Sequence, residues 1–131
     1  MKDYNLEDLI AYAKSYEAEE KSLPIFFDPD HYSRTPIYRD ENLEIVVICF
    51  AAGQTSTIHD HRGSNCVVRV VKGKMLEQLF RDKGDQLEFV ENRYLEAGEV
   101  SGLDGVAIHQ IGNVSKEGTV LLNFYSPPFR M

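Results

Sequence analysis

Residues 53–73 read "GQTSTIHDHRGSNCVVRVVKG". Two of the chain's four histidines, His59 and His61, stand one residue apart here, and Cys66 follows five positions later. "TSTIHDH" is rich in β-branched residues and reads as a strand. In a strand, residues i and i+2 point to one face. His59 and His61 are therefore expected to project together, with Ile58 and Asp60 turned away. Two imidazoles on one face can ligate one metal ion, but two unrelated surface histidines fit the pair equally well. "VAIHQIGN" supplies His109 between apolar neighbours. Alone, such a histidine reads as a hydrogen-bonded core residue; beside the pair it becomes a natural third ligand. His31 falls in a proline-rich segment and reads as a surface residue.

The rest of the chain supports a β-rich reading. "LEIVVICFAAG", "CVVRVVKGKMLEQLF", "QLEFVENRYLEAG" and "TVLLNFYS" are further strand candidates, separated by glycine-containing turns. "NLEDLIAYAKSYEAEEKS" carries Leu6, Leu9, Ile10, Ala13 and Tyr16 at near-helical spacing, with Asn5 as a candidate cap. Pro24, Pro29 and Pro36 disfavour a long helix after it. A helical segment over residues 1–22 packed on a barrel over 34–129 is expected, in one domain spanning 1–131. With 43 % hydrophobic and 27 % charged residues the chain should fold into a globular core. A net charge of −7 argues against nucleic acid or an anionic membrane as partner. "MKDYNLEDLI" lacks the apolar run of a signal peptide and no stretch reaches transmembrane length, so the expected location is cytoplasmic. Cys49 and Cys66 are too few for a disulfide framework.

The spacing Gly53, His59, His61, Cys66, Gly73 resembles the first cupin motif, with cysteine where most cupins carry glutamate. His109 and Asn113 fit the end of the second cupin motif. "STIHDHRGSNC", "IHQIGNVS" and "FYSPPF" together resemble the thiol dioxygenases, cysteine dioxygenase most closely. "YSRTPIYRDENLEIVVICF" is similar to that family's segment before the metal motif, so the likeness runs from about Leu23 to Phe129.

The resemblance implies a mostly β, jelly-roll cupin barrel and a non-haem iron enzyme. By position, His59, His61 and His109 match the Fe(II) ligands. Cys66 and Tyr125 match the pair that forms a thioether in animal enzymes. Arg34 matches the arginine that binds the substrate carboxylate, with Arg39 a rival of poorer spacing, and Tyr32 matches a neighbouring pocket tyrosine. Asn123 is expected at the substrate as well. The implied reaction joins a small thiol, cysteine first, with dioxygen to give a sulfinic acid. Three imidazoles cancel none of a bound divalent ion's charge, which suits an anionic thiolate. A monomer or weak homodimer is expected.

Other readings stay open on the residues themselves. By strand period Cys66 is equally a small core residue, as Cys49 is, and Tyr125 a core aromatic. Leu121 and Asn123 stand where the thiol dioxygenases usually present serine and histidine as a relay to the tyrosine. Asn123 can still hydrogen-bond the phenol; Leu121 cannot. Leu121, Asn123 and Tyr125 share a strand face and are expected to line one cavity. "LDGVAIH" also departs from the usual approach to the third ligand, and after "SPPF" come only Arg130 and Met131, where longer relatives add structure. These departures leave room for another thiol such as 3-mercaptopropionate, for a different metal-dependent cupin enzyme, or for a non-enzymatic metal or ligand sensor.

Overall fold

A computed structural model of the chain describes residues 2–129; Met1, Arg130 and Met131 lie outside them. One α-helix, α1 (Leu6–Ser15), and a 3-10 turn (Glu20–Ser22) precede the strands. The strands are β1 (Ser33–Arg39), β2 (Glu44–Phe50), β3 (Asn65–Lys72), β4 (Lys74–Asp82), β5 (Leu87–Glu96), β6 (Val100–Leu103), β7 (Ile108–Gly112) and β8 (Thr119–Ser126). They form two antiparallel sheets, ordered β1-β2-β8-β3-β6 and β5-β4-β7. The molecule is mostly β, with one short helix, as the sequence predicts.

Strand alternation decides which residue enters which core. Val46, Ile48 and Phe50 of β2, Cys66, Val68 and Val70 of β3, and Leu121 and Tyr125 of β8 meet Met75, Leu95 and Ile111 between the sheets. The intervening residues Ile45, Val47, Cys49, Val67, Leu122 and Phe124 pack with Leu9 and Ala13 of α1 on the other side of the larger sheet. β2 and β8 are thus buried on both faces, which is why "IVVICF" and "VLL" run apolar without alternation. Cys49 and Cys66 lie in different cores and both are free.

The helix begins where the sequence places it. The Asn5 side chain accepts the Asp8 N–H at 2.8 Å. It ends earlier than residues 5–22 allow, because the helical apolar spacing stops at Tyr16 and "EAEEK" adds only the small Ala18 to the core. Arg69 fixes the end, donating to the carbonyls of Ala13 and Tyr16. α1 lies close on β6: a Cβ at Gly102 would stand 2.8 Å from Ile10 Cδ1.

Three expectations change. "TSTIHDH" is not a strand; it is a loop held to β7 by isolated bridges, Thr55 to Gly112 and His59 to His109. "CVVRVVKGKMLEQLF" is two strands, divided at Gly73, whose φ of +85° and close approach to the Gly118 carbonyl exclude a side chain. The proline-rich segment contributes a strand, β1, that the sequence did not single out. β1 is an edge strand, and the exposed Pro36 lies within it next to a register shift.

Candidate metal centre

His109 comes from β7, and the loop carrying His59 is bonded to it at both ends of one residue pair. His59 N–H donates to the His109 carbonyl and His109 N–H to that of His59, each at 2.9 Å. Two residues on, a tight turn carries His61. Its carbonyl accepts Ser64 N–H at 3.0 Å, and Asp60 Oδ1 accepts the N–H of Arg62, which adopts φ +50°. His59 and His61 therefore converge because their loop is tied down, not because a strand alternates.

The His109 Nε2 lies 3.2 Å from His59 Nε2 and 3.2 Å from His61 Nε2. The ring planes are steeply inclined to one another, between 68° and 88°. His61 and His109 are buried and His59 is half-buried.

This donor set fits a metal ion. His59 Nδ1 is 2.8 Å from the Thr57 carbonyl, which can only accept, so the proton sits on Nδ1 and Nε2 carries a lone pair. His109 Nδ1 donates to Glu77 Oε2 at 2.7 Å. Burial holds His59 below its ordinary value, and burial with the facing His109 and His59 pushes His61 down to about 3. A proton on His109 Nε2 would satisfy one of its two close contacts. An ion at the common point meets all three. Among the described residues this trio is the one cluster of three histidine, cysteine or acidic side chains able to hold an ion.

A cavity of about 500 Å³ adjoins the trio, lined among others by His59, Tyr32, Arg34, Phe50, Asn123 and Tyr125. Arg34, on β1, donates from Nη2 to the Tyr125 phenol at 3.3 Å, and its Cζ stands 5.9 Å from the ring centroid. Asn123 Nδ2 donates to the same oxygen at 3.0 Å. Burial and the neighbouring Cys66 push the phenol up to about 12, against the opposing pull of Arg34 and Asn123. With both oxygen lone pairs occupied, the phenol's remaining hydrogen-bonding capacity is that of a donor. Tyr32 packs on Phe50, ring centroids 4.8 Å apart. Cys66 lies directly opposite Tyr125 in the β3–β8 register and is buried, which raises its thiol well above the ordinary range.

Other candidates fall elsewhere. Arg39 is exposed and pairs with Glu44 at 3.1 Å. His31 is exposed and stacks on Tyr32. Leu121 shares the inter-sheet core with Tyr125 but is not on the cavity wall.

Sequence reasoning missed Glu77, which is fully buried, and its donor Ser101. The signal was present: Glu77 takes an inward position of β4 between Met75 and Leu79. It also missed Phe129, whose ring stacks on Tyr125 at 5.3 Å and meets His61 edge-on at 5.7 Å.

A family model described as cysteine dioxygenase type I matches residues 2–131. Cysteine dioxygenase type 1 of Homo sapiens is 27 % identical over 135 aligned positions, covering 97 % of this chain and 68 % of that protein. Among solved structures, TT1209 from Thermus thermophilus superposes with a TM-score of 0.70 at 20 % identity, covering 86 % of this chain and 98 % of the other. An RmlC-like cupin protein from Desulfovibrio desulfuricans gives 0.63 at 22 % identity, over 87 % of this chain and 99 % of its own. These structures establish the cupin fold.

Proposed function

The chain belongs to the cysteine dioxygenase type I family, and on that premise we propose that it is an iron(II) enzyme that oxidises a small thiol acid, L-cysteine first, to its sulfinate. Both atoms of dioxygen enter the product: R–S⁻ + O2 → R–SO2⁻. The observation that carries this reading is the convergence of three imidazole Nε2 atoms beside a cavity holding a guanidinium and a phenol.

In this reading His59, His61 and His109 hold the ion. Iron(II), when bound, supplies a Lewis-acidic, redox-active centre where thiol and dioxygen react side by side. The chain's own residues do the rest. Arg34 faces the cavity from β1 and binds the substrate carboxylate through its planar fork. Holding the carboxylate fixes where the sulfur lies, so reaction becomes an oriented event. Tyr125 stays protonated at neutral pH and donates its hydrogen toward the developing oxyanion. Asn123, two residues away on the same strand, holds that phenol in place. Tyr32, Phe50 and Phe129 wall the cavity with rings and restrict water.

Cys66 and Tyr125 form the thioether pair in the same reading. Residues 1–131 form a single domain, cytoplasmic and working as a monomer or weak homodimer, with neither nucleic acid nor membrane as partner. Among the described residues no helix is long and apolar enough to cross a membrane. Size-exclusion chromatography with light scattering tests the oligomeric state.

Oxygen uptake by the iron-loaded protein with cysteine, 3-mercaptopropionate and cysteamine tests the function. Cysteine should be the fastest substrate and cysteamine poor. A preference for 3-mercaptopropionate would retain the carboxylate contact and move the substrate. No uptake with any thiol, despite bound iron, would overturn the reading in favour of another cupin activity or a sensor.

A further inference from the structure

Glu77 is a carboxylate buried among Met75, Leu79 and the inter-sheet core, a position that an apolar residue would fill at lower desolvation cost. Its two oxygens have separate tasks. Oε2 accepts His109 Nδ1–H at 2.7 Å, and Oε1 accepts Ser101 Oγ–H at 2.6 Å. The half-exposed Arg93 lies 3.8 Å from Oε1 and donates to Ser101 Oγ at 3.3 Å. The three histidines are treated unequally. Among the described residues, His59 Nδ1 meets a backbone carbonyl, His61 Nδ1 is buried without a partner, and only His109 is hydrogen-bonded to a formal negative charge.

We propose that Glu77 is a positioning residue that locks His109 with its proton on Nδ1 and its Nε2 lone pair toward the other imidazoles, and that its charge serves the site as the anion the three-histidine set lacks. The inference rests on the metal-site reading above. A hydrogen bond to a carboxylate fixes the imidazole tautomer and ring orientation and makes the far nitrogen a stronger donor. The Ser101 hydroxyl, itself held by Arg93, fixes Oε1 and so keeps Oε2 aimed at His109. Because Glu77 acts through His109, it modulates metal affinity and the electronics of the ion without touching substrate.

The test compares wild type with Glu77→Gln, a neutral isostere that can still accept from His109, and with Arg93→Met. Ferrous and zinc affinities are measured anaerobically by competition with a chromogenic chelator, and the Tm of each metal-free protein is recorded. Glu77→Gln should weaken both metals by about 10- to 100-fold with no loss of metal-free Tm. Arg93→Met, at a part-exposed site, should lose about two- to fivefold. In the zinc-loaded protein the His109 Nδ1 proton should resonate far downfield in NMR and move upfield in Glu77→Gln. Unchanged metal affinity in Glu77→Gln, or a loss matched by a fall in metal-free Tm, would overturn the proposal and leave Glu77 a packing element. If Glu77→Gln fails to fold, Arg93→Met and Ser101→Ala decide by the same criterion. If wild type binds zinc but no iron, the functional reading fails and the zinc measurements still judge Glu77. If it binds neither metal, both fail.

Discussion

At the scale of single residues, the Tyr125 oxygen is the point where several side chains agree. Arg34 and Asn123 both donate to it, and all three residues line the same cavity. Arg34→Ala should lower kcat/KM for cysteine by the equivalent of about 2–5 kcal/mol. Arg34→Lys should recover part of this, since lysine cannot form the planar fork. Cysteamine turnover should be nearly indifferent to both changes, and steady-state oxygen uptake with each thiol checks this. Loss of cysteamine and cysteine turnover alike would show that Arg34 supports the phenol or the fold rather than a carboxylate. The histidines make a second prediction, for the metal-free protein. Burial and neighbouring imidazoles hold His61 near about 3 when folded, against about 6.5 when unfolded. Between those values the unfolded chain binds more protons, so stability is fully present above about 6.5 and falls as the pH drops toward about 3. The Tm of metal-free protein should fall between pH 7.5 and pH 5, and less steeply in His61→Phe. Equal slopes would show that His61 is not the group responsible.

At the scale of elements, β3 and β8 matter most to the site, because their register places Cys66 opposite Tyr125. If the thioether forms, two hydrogens are lost and the strands become covalently joined. Protein matured with iron, oxygen and substrate should then run faster on a denaturing gel, unaffected by reductant, and Cys66→Ser should abolish the fast band. A single band of unaltered intact mass after prolonged turnover would contradict it. The pairing illustrates how far sequence reasoning reaches. Alternation in "CVVRVVKG" and "TVLLNFYS" shows which residues share a face, but not which strands are neighbours. The order β1-β2-β8-β3-β6 is set by long-range pairing that no local pattern encodes. β6 went unread because it has four residues and includes Gly102. The HxH pair was read as a strand, yet its convergence comes from the bonds between the His59 loop and β7. Glu77 was missed for a related reason: it is 32 positions from His109 in sequence, and only the β4–β7 pairing makes them partners.

At the scale of the whole molecule, two cores share one sheet. The outer core, under α1, is sealed by Leu9, Ala13 and the Arg69 clasp on the helix end; the inner core opens into the cavity beside the histidines. One face of β2, β3 and β8 thus packs the helix, while the other both packs the second sheet and borders the cavity. The net charge of −7 opposes an anionic substrate in bulk solution, and against that field the cavity wall sets two guanidinium groups, Arg34 and Arg62, beside one carboxylate, Asp60. In the proposed function this cavity joins both atoms of dioxygen to the sulfur of a small thiol acid at a metal held by three histidines. The most direct measurement is mass spectrometry of the product formed from cysteine by iron-loaded protein under isotopically labelled dioxygen, with His109→Ala as control. Cysteine sulfinate carrying two labelled oxygens, absent from the control, is the predicted result. Disulfide alone, or sulfinate with oxygen from water, would contradict it.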